Sequence, residues 1–239
     1  VRTIKIDVVF IYTAFFEILK ALPLTLVLTF IPLVIGFGIG IITALVRIYK
    51  VKYIYRVLDF YVSFLRGTPI LLHILVIYWG LPLVIDRLSV YFGWGFKSSS
   101  IPSLLIVLTA FSITAGAYMS EIIRSGLLSV NRGQIEAAYA IGMTTPQALW
   151  RIIVPQAVGV ILPNLCNIFV GFLHTSSLAF TVSQMELLGK ASVVASVSLK
   201  FLEAYIAAAF IYWGLTLLAE KLTSFLEKKV TVYNRGGVA

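Results

Sequence analysis

Two histidines, one cysteine and ten carboxylates are the material this chain offers for covalent or metal chemistry. They are poorly placed for either. Cys166 stands alone in apolar surroundings, which excludes an internal disulfide or a cysteine-based metal framework and favours packing. His73 and His174 are far apart, and no Ser-His-Asp or metal-ligand spacing joins them to a partner. Gly36, Gly38 and Gly40 resemble a nucleotide loop in composition only, since they lie in an apolar run where small residues serve close helix packing. No Walker lysine loop occurs, so the chain has no such device for binding ATP. What remains is non-covalent recognition. Arg66, Thr68, His73, Asn164, Asn167, Ser176 and Ser177 are polar groups in or beside apolar stretches, where they hydrogen-bond a neighbouring helix or a polar solute. Asn164 and Asn167 are three apart and share a helix face. Glu121 and Arg124 have the spacing of an ion pair within one helix.

The elements that must position these groups follow from composition. Of 239 residues, 60% are hydrophobic and 12% charged, with mean hydropathy +0.99. That apolar content exceeds what one soluble core could bury and identifies an integral membrane protein, all-α, read as one domain over 1–239. Five spans approach or exceed the ~20 residues that cross a bilayer: Ala21 to Val46, Leu58 to Leu81, Pro102 to Ser125, Ile153 to Leu173 and Glu203 to Phe225. The net charge of +9 is a topology signal rather than a nucleic-acid signal. Eleven basic residues fall on one side: Arg47, Lys50, Lys52, Arg56, Arg124, Arg132, Arg151, Lys221, Lys228, Lys229 and Arg235. Arg2, Lys5, Lys20, Arg87, Lys97, Lys190 and Lys200 fall on the other, and Arg66 lies within a span. The positive-inside rule then puts the N-terminus outside and the C-terminus in the cytoplasm. Residues 8–20 carry Val8, Ile11, Tyr12, Phe15, Phe16 and Leu19 at helical spacing, interrupted by Thr13, Glu17 and Lys20. This describes an amphipathic helix in the membrane interface, or a partly buried extra helix, rather than a cleavable signal.

The connection at 131–154 is unusual. About 25 polar, helix-forming residues is more than a link between spans needs. Gln134 to Ile141 contains good helix formers and Gly142 suits a left-handed stop. Thr145 is a plausible cap for a second helix that begins at Pro146 and is kinked or ended by Pro155. The predicted shape is helix, glycine turn, helix: a short elbow on the cytoplasmic side. Ala137 and Ala138 leave one side of its first helix without bulk, open to a partner. Glu136 is available to that partner or to Arg132 one turn earlier.

Glu136-Ala137-Ala138, three residues, Gly142, nine residues, Ile152, one residue, Val154-Pro155 resembles the cytoplasmic signature of membrane subunits of ATP-driven, binding-protein-dependent importers, with Val154 in place of Leu. Phe64 to Pro69, Tyr78 to Pro82, Ala117 to Arg124, Pro155 to Ala157 and Thr175 to Leu178 are similar to the polar amino-acid uptake branch of ABC-type permeases, so the resemblance covers nearly the whole chain. It implies a type I ABC importer permease fold, with Glu136, Ala137, Ala138 and Gly142 forming a coupling helix against the ATP-hydrolysing subunit. It further implies two ATP-binding cassette subunits that hold ATP and Mg, a second permease subunit, an external solute-binding protein and a bacterial cell membrane location. No cofactor on this chain, no enzymatic activity and no nucleic-acid partner are expected. His73 stands where the family often has Gln, and His174 where it often has Lys. Ile168 stands where relatives handling cationic amino acids can have Glu, and Thr175 to Thr181 is similar to importers of cystine and related sulfur-containing amino acids. The rival reading from the residues alone is a self-sufficient channel or secondary transporter, which leaves the elbow unexplained. A non-transporting scaffold is a third.

Overall fold

The computed structural model describes residues 6–235, and the side chains of 6–228. Arg2 and Lys5, and the side chains of Lys229 and Arg235, invoked above for topology, lie outside the described residues, as do the ends of the 1–239 domain. The helices are α1 (Val8–Leu19), α2 (Leu22–Ile48), α3 (Ile54–Gly67), α4 (Ile70–Phe92), α5 (Ser103–Leu128), α6 (Arg132–Ala140), α7 (Thr145–Ala148), α8 (Val154–Thr175), α9 (Leu187–Ser198) and α10 (Phe201–Arg235). There is no strand among the described residues. Five helical runs are long and apolar enough to cross a membrane: α2, α4, α5, the run containing α8, and α10.

Four of the five expected spans recur within a few residues at their starts, and the second does not. It was expected over 58–81, but α3 ends at Gly67 and the membrane-length helix runs from Ile70 to Phe92. The cause is Pro69. A proline lacks the amide hydrogen that a helix interior requires and pushes the preceding residue out of the helical region. Thr68 accordingly takes φ −123°, ψ 153°, and Pro69 sits at the N-cap of α4. Arg66 therefore ends the separate helix α3 instead of lying within a span.

The central pair is α2 and α5, and small residues set its closeness. A Cβ at Gly36 would stand 2.5 Å from the Ala115 Cβ, one at Gly40 2.9 Å from the Met119 Cβ, and one at Gly116 2.5 Å from the Ile39 side chain. Without these side chains the backbones meet and dispersion contacts hold them. Gly38 faces open space and takes no part. Leu28, Leu33, Ile74, Val107, Phe111 and Phe172 complete a buried core that joins α2, α4, α5 and α8.

A second cluster joins α1, α9 and α10 through Ala14, Ile18, Leu187, Ala191, Ala207 and Ile211. The six apolar residues assigned above to one face of the first helix divide: Ile11, Phe15 and Leu19 pack against this cluster, whereas Val8, Tyr12 and Phe16 point away from it. The helix is thus a packed element with an apolar outer side. Asp7 caps it, accepting from the Phe10 amide at 2.9 Å, and receives Lys200 Nζ at 2.6 Å. These bonds, the lysine first, hold the Asp7 carboxyl below its ordinary value.

Candidate functional site

The elbow is built by local rules. Asn131 caps α6, its side chain accepting from the Gly133 amide at 2.8 Å. At the other end the Met143 amide donates to the Ala138 carbonyl at 3.0 Å and the Gly142 amide to that of Tyr139 at 2.9 Å. This paired closure needs a left-handed residue, and Gly142 supplies it with φ +82°. The second helix is capped by Thr144, one residue before the expected Thr145, because the Gln147 side chain reaches back to accept from the Thr144 amide at 2.9 Å.

Ala138 and Ala148 are buried, so the expected bare side of α6 consists of Ala137 without Ala138. The outward face of the elbow carries Glu136, Ala137 and Tyr139 from α6, Ile141 (75% exposed) just past it and Trp150 (68% exposed) in the turn after α7. No ion pair joins Glu136 to Arg132 among the described residues, so the carboxylate stays on that outward face. Tyr139, Ile141 and Trp150 were not singled out in the sequence; their signal was large apolar residues in an otherwise polar insert.

Pro155 does not end the helical run. Between α7 and α8 the chain makes a π turn, Leu149–Ile153, in which the Val154 amide bonds the Leu149 carbonyl, five residues back. Widening the ladder there accommodates the proline near the start of α8, where its missing donor costs least. A continuous helical run therefore leads from the elbow into a membrane-length segment.

That segment forms one wall of a cavity of about 450 Å³. Asn164, Asn167 and Thr175 line it from α8, Tyr118, Glu121 and Ser125 from α5, and Arg66 from the end of α3. From Asn164 to Thr175 is about 16 Å along a helix. Glu121 is the electrostatic centre. It is bonded to Arg124, takes Arg47 Nη1 at 2.9 Å, and stands 3.9 Å from Arg66 Nη1. Arg47 also bonds Asp59 at 2.6 Å. Arg124 and Arg47 each make two hydrogen bonds to carboxylates, whereas Arg66 is loosely held and nearly half exposed, which leaves its donors available to an anionic group.

Of the seven polar residues expected to mark a pathway, Arg66, Asn164 and Asn167 share this cavity. The other four do not. Ser176 is buried, its hydroxyl donating to the Leu173 carbonyl. Ser177 lines a separate apolar cavity of about 330 Å³ with His174, Tyr205 and Tyr212. Thr68 and His73 bond each other outside the lining. His174 joins α8 to α10 through Thr216 at 2.9 Å, as an interhelical hydrogen bond. Tyr118, Glu121 and Ser125 went unassigned as lining. Their spacing of three and four residues puts them on one face of α5, the pattern that linked Asn164 to Asn167.

Comparison with known proteins gives the family. The chain is 36% identical over 226 residues to the probable amino-acid permease protein YxeN of Bacillus subtilis (strain 168), over 95% of this chain and 96% of that one. It is 38% identical over 210 residues to the L-cystine transport system permease protein TcyB of the same organism, over 87% and 84%. In a crystal structure of an amino acid ABC transporter with histidines, a 34% identical chain matches with a TM-score of 0.81, over 95% of this chain and all of that one. The all-α fold is that of type I ABC importer permeases, which are transport components and not themselves enzymes. Residues 36–232, elbow and cavity included, match the family described as binding-protein-dependent transport system inner membrane component, and the chain belongs to that family of multi-pass bacterial inner-membrane proteins.

Proposed function

We propose that this chain forms half of the translocation pathway of an ATP-driven amino-acid importer, with the cavity beside α8 as part of the route and the elbow as its lever. The observation that carries the reading is the unbroken helical run from the elbow through the π turn into α8, which also supplies Asn164 and Asn167 to the cavity. A push on the elbow is then transmitted along this run to the cavity wall. Glu136, Ala137 and Gly142, with Ala138 behind them, meet an ATP-binding cassette subunit. Two such subunits bind ATP and Mg and perform the hydrolysis, a second permease subunit completes the pathway, and an external solute-binding protein delivers the cargo. The N-terminus faces outward, and the elbow and C-terminus face the cytoplasm. The whole of 1–239 acts as one permease domain.

The cargo is a polar amino acid. Arg66 offers a guanidinium to a carboxylate, and Asn164 and Asn167 offer amides. Ile168 lines the same cavity at the position where relatives handling cationic amino acids can have Glu, and the carboxylate that does line it, Glu121, is already bonded to Arg124 and Arg47. Similarity to TcyB and the sequence Thr175 to Thr181 favour cystine or a related sulfur-containing amino acid. The test is ATP-dependent uptake by the complex reconstituted in vesicles, with a competition series of amino acids that includes cystine. Cystine and neutral polar amino acids should compete and arginine should not. Uptake without ATP or without the cassette subunits would instead indicate a self-sufficient transporter.

A further inference from the structure

We infer that His73 is a positioning residue that pins the break between α3 and α4 to α5, and that it acts on cargo only through the cavity walls on either side of that break. The inference rests on the cavity being part of a transport route. His73 is 4% exposed, on the first turn of α4. Its Nε2 lies 2.7 Å from the Thr68 hydroxyl, across the break, and its Nδ1 lies 3.1 Å from the Thr114 hydroxyl on α5. The two residues that flank the break and line the cavity are Arg66 and Ile70. One side chain thus ties three helices at the point where the chain leaves α3 and enters α4.

The donors and acceptors around the ring show how the tie works. Thr68 Oγ1 has one hydrogen, and the Phe64 carbonyl 2.7 Å away can take it. The Thr68 oxygen can then accept from Nε2 where that nitrogen carries the ring proton. Thr114 is placed in the same way, its hydroxyl 2.9 Å from the Ala110 carbonyl and 3.1 Å from Nδ1, so the tautomer decides which threonine gives its hydrogen to the ring and which to its own helix. In either tautomer the neutral ring offers one donor and one acceptor, and both ring nitrogens are occupied. Nothing remains to bind a solute. The requirement is one donor and one acceptor on a single short side chain, which a glutamine amide also carries and a leucine does not.

The experiment uses the assembled complex and follows His73→Leu, Thr114→Val, their combination and His73→Gln. Hydrogen exchange of the segment around residues 64–75 is read alongside uptake, so it reports on the pin even if the transported solute is not an amino acid. Expected are faster exchange and an apparent KM raised about tenfold in His73→Leu and in Thr114→Val, the size of effect that follows the loss of a buried hydrogen bond. The double variant should be no worse than His73→Leu, because that variant already lacks the bond to Thr114. His73→Gln should restore both readouts and keep the order of competing amino acids. A changed order of competitors in His73→Gln would make the ring a cargo contact and overturn the inference. Unchanged exchange in both His73→Leu and Thr114→Val would overturn it as well. Altered exchange with no uptake of any amino acid by the unmodified complex would leave the pin standing and remove the amino-acid reading.

Discussion

Gly142 and Glu136 answer to different physics within one elbow. At Gly142 there is room for a side chain, since nothing lies within 4 Å of an added Cβ, but its φ of +82° is a conformation that a β-branched residue rarely adopts. The strain of Gly142→Val is about 1–2 kcal/mol, borne by the turn alone. At Glu136 the backbone is ordinary helix and only the outward charge matters. Glu136→Lys and Gly142→Val should therefore each abolish ATP-dependent uptake while membrane insertion and yield stay near normal. Normal uptake in both would remove the elbow from the mechanism. Both residues were legible in the sequence because a helix stop and an exposed charge are local properties. The inward turn of Ala138 was not, because it depends on where α7 folds back.

Among the elements, α2 and α5 show how a membrane protein holds helices together without a hydrophobic driving force between them. Gly36 and Gly38 give a matched test, since both are mid-helix glycines and the gain in helix propensity on changing either to alanine is the same. Gly36→Ala puts a methyl 2.5 Å from the Ala115 Cβ and should lower thermal stability in detergent by about 1–3 kcal/mol, the range for overpacking. Gly38→Ala, with nothing within 4 Å, should leave it unchanged or slightly raised. Equal behaviour of the two variants would mean that close approach does not hold this pair. The break at Thr68-Pro69 belongs to this scale as well. Hydropathy alone draws a span across it, because a window average does not register a missing amide hydrogen, and the backbone rule for proline then moves the span to Ile70–Phe92.

For the molecule as a whole, the basic residues after α2 and α5 and the elbow all fall at one end once the spans alternate in direction. That arrangement leads to a measurement of sidedness. A membrane-impermeant thiol reagent applied to intact cells should fail to label a cysteine placed at Ala137 and should label it in inverted membrane vesicles, with Cys166 replaced by alanine in both. Labelling from outside in intact cells would reverse the proposed topology.

The class of protein, the existence of the spans, the elbow and its resemblance to a coupling element are all legible in the residues alone. Each of these depends on composition, helical periodicity or turn chemistry within a few residues. The sequence does not determine which polar residues meet. Arg66, Glu121 and Asn164 come from three helices and share one cavity, while Ser177 and His73, equally polar and equally close to family motifs, turn elsewhere. Whether a side chain lines a cavity, pins two helices or bonds its own backbone is set by the rotation and approach of helices distant in the chain. Here small residues between α2 and α5, the break at Pro69 and the π turn before Pro155 set those geometries, and only the tertiary structure combines them.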